Sequence, residues 1–400
     1  MNEKRLVLVN RAVYLPGEGG YKRTMYLFDM MRSIGYHPIL LTSDFNHYKN
    51  QARDIKQFQK SFAEYKDSIV FIHTPVYSKN ISIKRYRAES VWTKAVRNWF
   101  KDNAAKIDAV MLSMPDMNTI LAISNICKEH NIEMIIDVRD LRPEAFRVIV
   151  RNESLYTFLL APMRKKADKA YACADKLFAV SNEYLERGSK VNSKAKIRKA
   201  VYIGAVLDMF DEGVKQYKDT IYKKDNEIWM TYAGTLGESY DLITCIDAAK
   251  IIHDSTNENF KFIILGQGPD EDALKKYAED IGADNVEFIG FVEYKKMAAY
   301  LSKSDISINA IKKRGSQSII NKVADYFAAG IPMLNGCICK EQLQMVDEYK
   351  VGLNYEPENV SSLVNSIEEL LKDADKRKAY GNNARLLAES KFDRKKAIWK

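Results

Sequence analysis

Between Arg314 and Leu334 the chain reads RGSQSIINKVADYFAAGIPML: a polar loop, an amphipathic stretch, a glycine and an apolar run in succession. Ile320, Val323, Ala324, Phe327 and Ala328 fall on one helical stripe, Gly330 suits a left-handed C-cap, and Pro332 opens the next strand. That pattern confines Asn321, Lys322 and Asp325 to the first turns of the predicted helix. Backbone N–H groups without intrahelical partners and the positive end of the helix dipole lie there, so the loop carrying Gln317 and Ser318 feeds a natural anion site. Lys322 adds a full positive charge. In a dry site, a lysine and fixed N–H dipoles stabilise negative charge that grows on a departing phosphate. Standing alone, the segment reads as the start of an ordinary surface helix.

Other segments could serve the same chemistry. Pro16-Gly-Glu-Gly-Gly20 follows the first predicted strand, and Gly19 and Gly20 would let backbone N–H groups approach a phosphate closely. Its spacing departs from G-x-G-x-x-G, which argues against a nicotinamide enzyme. Asp270-Glu271-Asp272 spells a metal-binding D-x-D, yet it follows Gly268-Pro269 at a predicted helix start, where the dipole alone favours acidic residues. No essential metal is expected. The five cysteines (127, 173, 245, 337 and 339) are odd in number and scattered, as reduced thiols would be, and Cys337-Ile338-Cys339 has no second ligand pair to make a zinc site.

The elements that must position these residues alternate between strand and helix. RLVLVN, HPILLTS, SIVFIHT, AVMLSM, EMIIDV and KLFAVS are strand-like runs in the first half, and EIWMTYAG, FKFIILG, VEFIGF, ISINAI and PMLNG repeat the pattern in the second. Helical patterns between them imply an α/β fold with largely parallel sheets covered on both faces. Between the halves, Ala205 to Asn226 loses periodicity and fills with charge. The predicted organisation is an N-terminal doubly wound domain (1–205), a linker (206–226), a second such domain (227–385) and a C-terminal helix (386–400) returning toward the first. Such sheets bind ligands at the carboxyl ends of their strands, so facing domains would enclose a cleft.

Five segments, in order, resemble retaining GT-B glycosyltransferases of family four, in particular the bacterial O-antigen, capsule and exopolysaccharide branch. They are IIDVRDLRPEAF (135–146), ADKLFAVSNEYLE (174–186), YAGTLGESYDLITCIDAA (232–249), FIILGQGPDEDALKKYA (262–278) and the Lys322 segment itself. The resemblance implies a GT-B fold of two Rossmann-like domains. It implies a nucleotide-sugar donor, expected to be UDP-linked, and a polyisoprenoid-linked or other glycan acceptor. Gly234, Thr235 and Gly237 would contact the pyrophosphate, Lys322 with Ser318 and Asn321 would hold it as it leaves, and Asp325 would take the ribose hydroxyls. Gln317 stands where the family's first glutamate of Glu-x7-Glu is expected, so the donor-sugar contact is changed. Arg139 stands where many members have a histidine; it stays protonated and could clamp a phosphate, while Asp140 is the better candidate to orient the acceptor hydroxyl. A GT-B-like nucleotide-sugar epimerase and a noncatalytic partner subunit are the alternatives.

Charge and hydropathy suggest where the partners lie. Residues 1–200 carry 35 Lys+Arg against 21 Asp+Glu, whereas residues 201–400 carry 27 against 32, so the first half should meet an anion. Ile83 to Lys101 reads as a basic amphipathic helix, with Trp92 and Trp99 on its apolar side and Lys94, Arg97 and Lys101 opposite. Its apolar face could pack on the sheet or, with the flanking cations, contact an anionic membrane surface. No nucleic-acid recognition motif is present. No run approaches the roughly 18–20 apolar residues of a membrane span, and MNEKRLVLVN has no secretory core, so a cytoplasmic, membrane-peripheral protein is expected.

Overall fold

The apolar runs of the first half become parallel strands β1 (Arg5–Val9), β2 (His37–Ser43), β3 (Ile69–Ile72), β4 (Ala109–Met114), β5 (Glu133–Val138) and β6 (Lys176–Ala179). A further strand, β7 (Ile197–Ala200), completes a seven-stranded sheet in the order β3-β2-β1-β4-β5-β6-β7. Along β1, Leu6 and Leu8 enter one apolar cluster and Val7 and Val9 another, so both faces are covered. Helix α1 (Arg23–Ser33) supplies Met25 and Phe28 to the first cluster. Helix α2 (Ile83–Asn103) supplies Trp92, Val96 and Phe100 to the second. Helix α3 (Glu153–Ala172) carries Ala167, Ala170 and Tyr171 into that same cluster.

The computed structural model describes residues 4–18, 23–78, 82–148, 153–256, 259–314 and 319–397. They divide into two units, Met1–Ala200 and Val201–Lys400. The second is built on β8 (Glu227–Ala233), β9 (Asn259–Leu265), β10 (Val286–Gly290), β11 (Ile306–Asn309), β12 (Met333–Asn335) and β13 (Gly352–Asn354). All are parallel, in the order β10-β9-β8-β11-β12-β13. In each sheet the strand order reverses beside the first strand, between β1 and β4 and between β8 and β11, which opens a crevice at those carboxyl ends.

Two expectations change. The segment read as a linker contains helix α4 (Leu207–Tyr217), which buries Leu207 and Phe210 in the core of the second unit and packs on α5 (Tyr294–Lys303). Its charges lie on the outer face, which is why it looked aperiodic. The chain end described as far as residue 397 docks on the start of the second unit: Ala205 N–H donates to Phe392 O at 2.9 Å, and Arg394 Nε donates to Gly204 O at 3.0 Å.

Candidate active site

In the second unit, helix α6 (Asn321–Ala328) begins after Ile320 with no side-chain cap among the described residues; Val323 N–H donates to Ile320 O at 3.2 Å, and the N–H groups of Asn321 and Lys322 lie at the end that suits an anion. Val323, Ala324, Phe327 and Ala328 are buried as their spacing predicts, and Gly330 takes φ +68° to end the turn. Tyr326, also buried, ties the helix to the end of β8 by accepting from Ala233 N–H at 3.0 Å. This bond sets α6 beside the Gly234–Gly237 loop.

Lys322 reaches under that loop. Its Nζ donates to Tyr232 Oη at 2.8 Å and lies 3.9 Å from the ring centres of both Tyr232 and Tyr240. Tyr232 Oη in turn donates to Thr235 O at 2.7 Å, so lysine, phenol and loop carbonyl form one chain. A Cβ at Gly234 would stand 2.6 Å from Lys322 Nζ, so any larger residue there would push the lysine end aside. Among the described residues no carboxylate pairs with Lys322, and burial holds its pKa well below the ordinary lysine value. Two π-faces stabilise the ammonium only partly. A buried lysine with no counterion among the described residues fits an anion that would favour its charged form.

Asp325, one turn on, accepts from Tyr294 Oη at 2.8 Å. Burial raises its pKa to about 6, against the lowering effects of the Tyr294 hydrogen bond and of Arg394. It is therefore ionised at neutral pH and can accept from sugar hydroxyls.

In the first unit the carboxyl ends of β1, β4 and β5 enclose a cavity of about 670 Å³, whose lining includes Arg11, Asp116, Arg139, Asp140 and Arg142. Buried Asp137, the fifth residue of β5, accepts from Arg139 Nε at 2.8 Å and from Arg23 Nη2 at 3.3 Å. Its burial alone would raise its pKa, but the two guanidinium groups outweigh that and hold it below the usual value. Arg139 Nη1 also donates to Thr24 Oγ1 at 3.3 Å, which fixes the guanidinium plane at the cavity wall. Burial raises the pKa of Asp140, with Arg142 opposing. Arg139 and Asp140 thus share one cavity.

The structure gathers Gly234, Thr235, Gly237, Asn321, Lys322 and Asp325 around the start of α6 and its neighbouring loop. Gly19, Gly20, Gln317 and Ser318 lie outside the described residues. The reading of Trp92 as a membrane contact is wrong: it is fully buried and its Nε1 donates to Asp116 Oδ2 at 3.0 Å. Trp99 is half-buried and packs against the same core, because the i, i+4, i+8 stripe of Trp92, Val96 and Phe100 faces the sheet. Lys94, Arg97 and Lys101 are exposed. Asp270 precedes the helix Glu271–Asp280 and Asp272 lies in its first turn. Sequence reasoning missed Tyr232, Tyr240 and Tyr294; the available signal for the first two was an aromatic on either side of the G-T-L-G loop.

Residues 214–387 match the family described as Glycosyl transferases group 1. The chain is 25% identical over 197 residues to the protein of Escherichia coli (strain K12) named as a colanic acid biosynthesis glycosyl transferase, WcaI, across 48% of this chain and 47% of that one. It is 26% identical over 234 residues to the uncharacterized glycosyltransferase MJ1069 of Methanocaldococcus jannaschii, across 58% of this chain and 57% of that one. The chain thus spans about half the length of the curated relatives it matches. Among solved structures, Anabaena Alr3699/HepE in complex with UDP superposes with a TM-score of 0.68 at 13% identity, covering 98% of this chain and 96% of that one. At that identity the likeness is one of fold.

Proposed function

We propose, from the match of residues 214–387 to the model described as Glycosyl transferases group 1 and from the likeness in fold, that the second unit is the donor domain of a glycosyltransferase. The chain moves a sugar, with retention of configuration, from a nucleotide-sugar donor to a lipid-linked glycan acceptor in bacterial surface polysaccharide synthesis. The observation that carries this reading is Lys322: a buried lysine without a counterion among the described residues, beside a glycine loop and the start of α6. A nucleoside diphosphate supplies the missing anion. That HepE was solved in complex with UDP favours a UDP-linked donor.

As the bond from the anomeric carbon to the β-phosphate breaks, negative charge grows on the phosphate oxygen. Lys322 and the first N–H groups of α6 interact more strongly with that charge than with the ground state, which lowers the barrier. The acceptor hydroxyl forms the new C–O bond from the leaving-group face and gives its proton to the departing phosphate, so no protein nucleophile is needed. Asp325 holds the ribose hydroxyls. Arg139 and Asp140 serve the acceptor in the first unit, Asp140 orienting its hydroxyl. The charge excess of residues 1–200 and the exposed Lys94, Arg97 and Lys101 support a position on an anionic cytoplasmic membrane face. No helix among the described residues is long and apolar enough to cross a membrane.

A screen of nucleotide sugars with and without a polyisoprenoid-linked glycan tests the reading. Nucleotide release that depends on the acceptor is expected. Acceptor-independent sugar conversion would instead make the chain an epimerase, and silence with every donor would make it a noncatalytic subunit.

A further inference from the structure

We propose that the sugar transferred from the donor carries a methyl group, at C6 or in an acetamido substituent, which packs on an apolar wall beside Lys322 in the second unit. This rests on the transferase reading above and narrows its substrate. The wall begins after β12, where the chain reads Gly336-Cys337-Ile338-Cys339. Ile311, Cys337 and Cys339 form a small buried cluster, and Tyr240 and Ile320 pack on it. Both of these residues border the phosphate site. The Tyr240 ring centre is 3.9 Å from Lys322 Nζ, and Ile320 is the residue from which α6 starts. A sugar bonded to a phosphate at that helix start therefore lies beside Ile320, Tyr240 and the segment packed against them.

That surface is poor in groups a hydroxyl could use. Apart from the Tyr240 phenol, the side chains of the wall (Ile311, Ile320, Cys337, Ile338 and Cys339) carry neither oxygen nor nitrogen. Backbone polar atoms of the segment are turned to the sheet instead. Asn309, Asn335 and Asn354 end the adjacent strands β11, β12 and β13 in register. Their amides form a chain: Asn309 Nδ2 donates to Asn335 Oδ1 at 3.0 Å, and Asn335 Nδ2 donates to Asn354 Oδ1 at 2.8 Å. Asn335 also accepts from Cys337 N–H at 3.3 Å and donates to Cys337 O at 3.2 Å, while Gly336 N–H donates to Asn309 O at 3.0 Å. This frame buries the two thiols and leaves Ile338, between them, 53% exposed. A sugar hydroxyl set against such a surface gives up water without gaining a partner, whereas a methyl group gains by leaving water. An apolar wall next to a few directed polar groups is how a pocket tells such ligands apart.

The test uses the full chain and compares three donors in the ring configuration that the donor screen selects: the plain hexose, its 6-deoxy form and its 2-acetamido form. In the gluco case these are UDP-glucose, UDP-6-deoxyglucose and UDP-N-acetylglucosamine. One of the two methyl-bearing donors should exceed the plain hexose at least tenfold in kcat/KM, since a small apolar group in an apolar pocket is worth about 10–200-fold. Which of them does so assigns the methyl to C6 or to the acetamido group. In Ile338→Ser the preference should fall to about threefold or less, the methyl having lost its apolar partner. Each comparison is a ratio taken on one preparation, so any loss of folded protein cancels. A plain hexose used as well as both methyl-bearing donors overturns the proposal, and so does a preference that Ile338→Ser leaves unchanged. Either result leaves the transferase reading standing. A donor screen silent throughout sinks that reading and this inference with it, so the two failures are distinct.

Discussion

Replacing Lys322 by methionine keeps most of the volume between the Tyr232 and Tyr240 rings and removes only the charge. The resting protein should not suffer. Among the described residues its Nζ has one hydrogen bond, to Tyr232 Oη, and two ring faces, and no carboxylate there would be stranded by its loss. Tyr232 keeps its bond to Thr235 O. Burial already disfavours the charged lysine, so the melting temperature should hold or rise. The cost appears when phosphate charge develops: removing one preorganised electrostatic contact of this kind costs on the order of 3 kcal/mol, about a hundredfold in kcat. Donor KM should change much less, because the contact strengthens toward the transition state. Steady-state donor titrations, UDP calorimetry and thermal melts on the same preparations decide it. A folded Lys322→Met protein with kcat within a few-fold of wild type would refute the phosphate-clamp reasoning and move the catalytic charge elsewhere.

Asp325→Asn should weaken donor binding with little change in kcat. With the folded carboxyl raised to about 6 from 3.8, the native state holds more protons than the unfolded chain between these values, so stability falls as pH rises through that window. The shift corresponds to a cost on the order of 3 kcal/mol above it, so Asp325→Asn should melt higher than wild type at pH 8; an unchanged melting temperature would contradict the assignment. For the wild type, donor affinity should drop as pH falls through about 6, read by UDP calorimetry. Activity should survive EDTA, since Lys322 and helix N–H groups carry the charge; loss restored by manganese would show that Asp270 and Asp272 act as metal ligands. Flotation with anionic vesicles should weaken with salt, given screening over about 8 Å at physiological ionic strength, and weaken again in Lys94→Glu, Arg97→Glu, Lys101→Glu; unchanged flotation would remove the membrane argument. Trp92→Ala should cost about 3–5 kcal/mol in denaturant titrations, whereas a surface tryptophan would cost almost nothing.

The alternation of apolar runs with amphipathic stretches was enough to place eleven of the sheet strands, because each run is wide, apolar and bounded by turn residues. In the two large sheets, the two that escaped, Ile197–Ala200 (IRKA) and Gly352–Asn354, are edge strands, short and only partly covered, with no hydrophobic run to betray them; the two-residue pair Phe45–Asn46 and Gln51–Ala52 escaped as well. The α6 start was legible for the same reason: a stripe, a cap and a glycine stop are local, and local patterns fix which residues sit in the first turn. Position placed Lys322 and Asp325 in the first turns; the resemblance to a known family gave them their roles.

What surrounds them could not. Tyr232 and Tyr240 lie 90 and 82 residues before Lys322, and Tyr294 lies 31 before Asp325. They become neighbours only because the sheet order puts β8 beside β11 and seats α5 near α6. The same limit explains Trp92. A helical wheel shows which residues share a face, yet whether that face meets a sheet or a membrane depends on what lies opposite, and here Val7, Val110 and their cluster do. Periodicity along the chain determined the elements and the residues on each face. Partners, burial and hence the protonation of Lys322 and Asp325 were decided by contacts between distant segments, since desolvation and charge pairing depend on distance in space and not along the sequence.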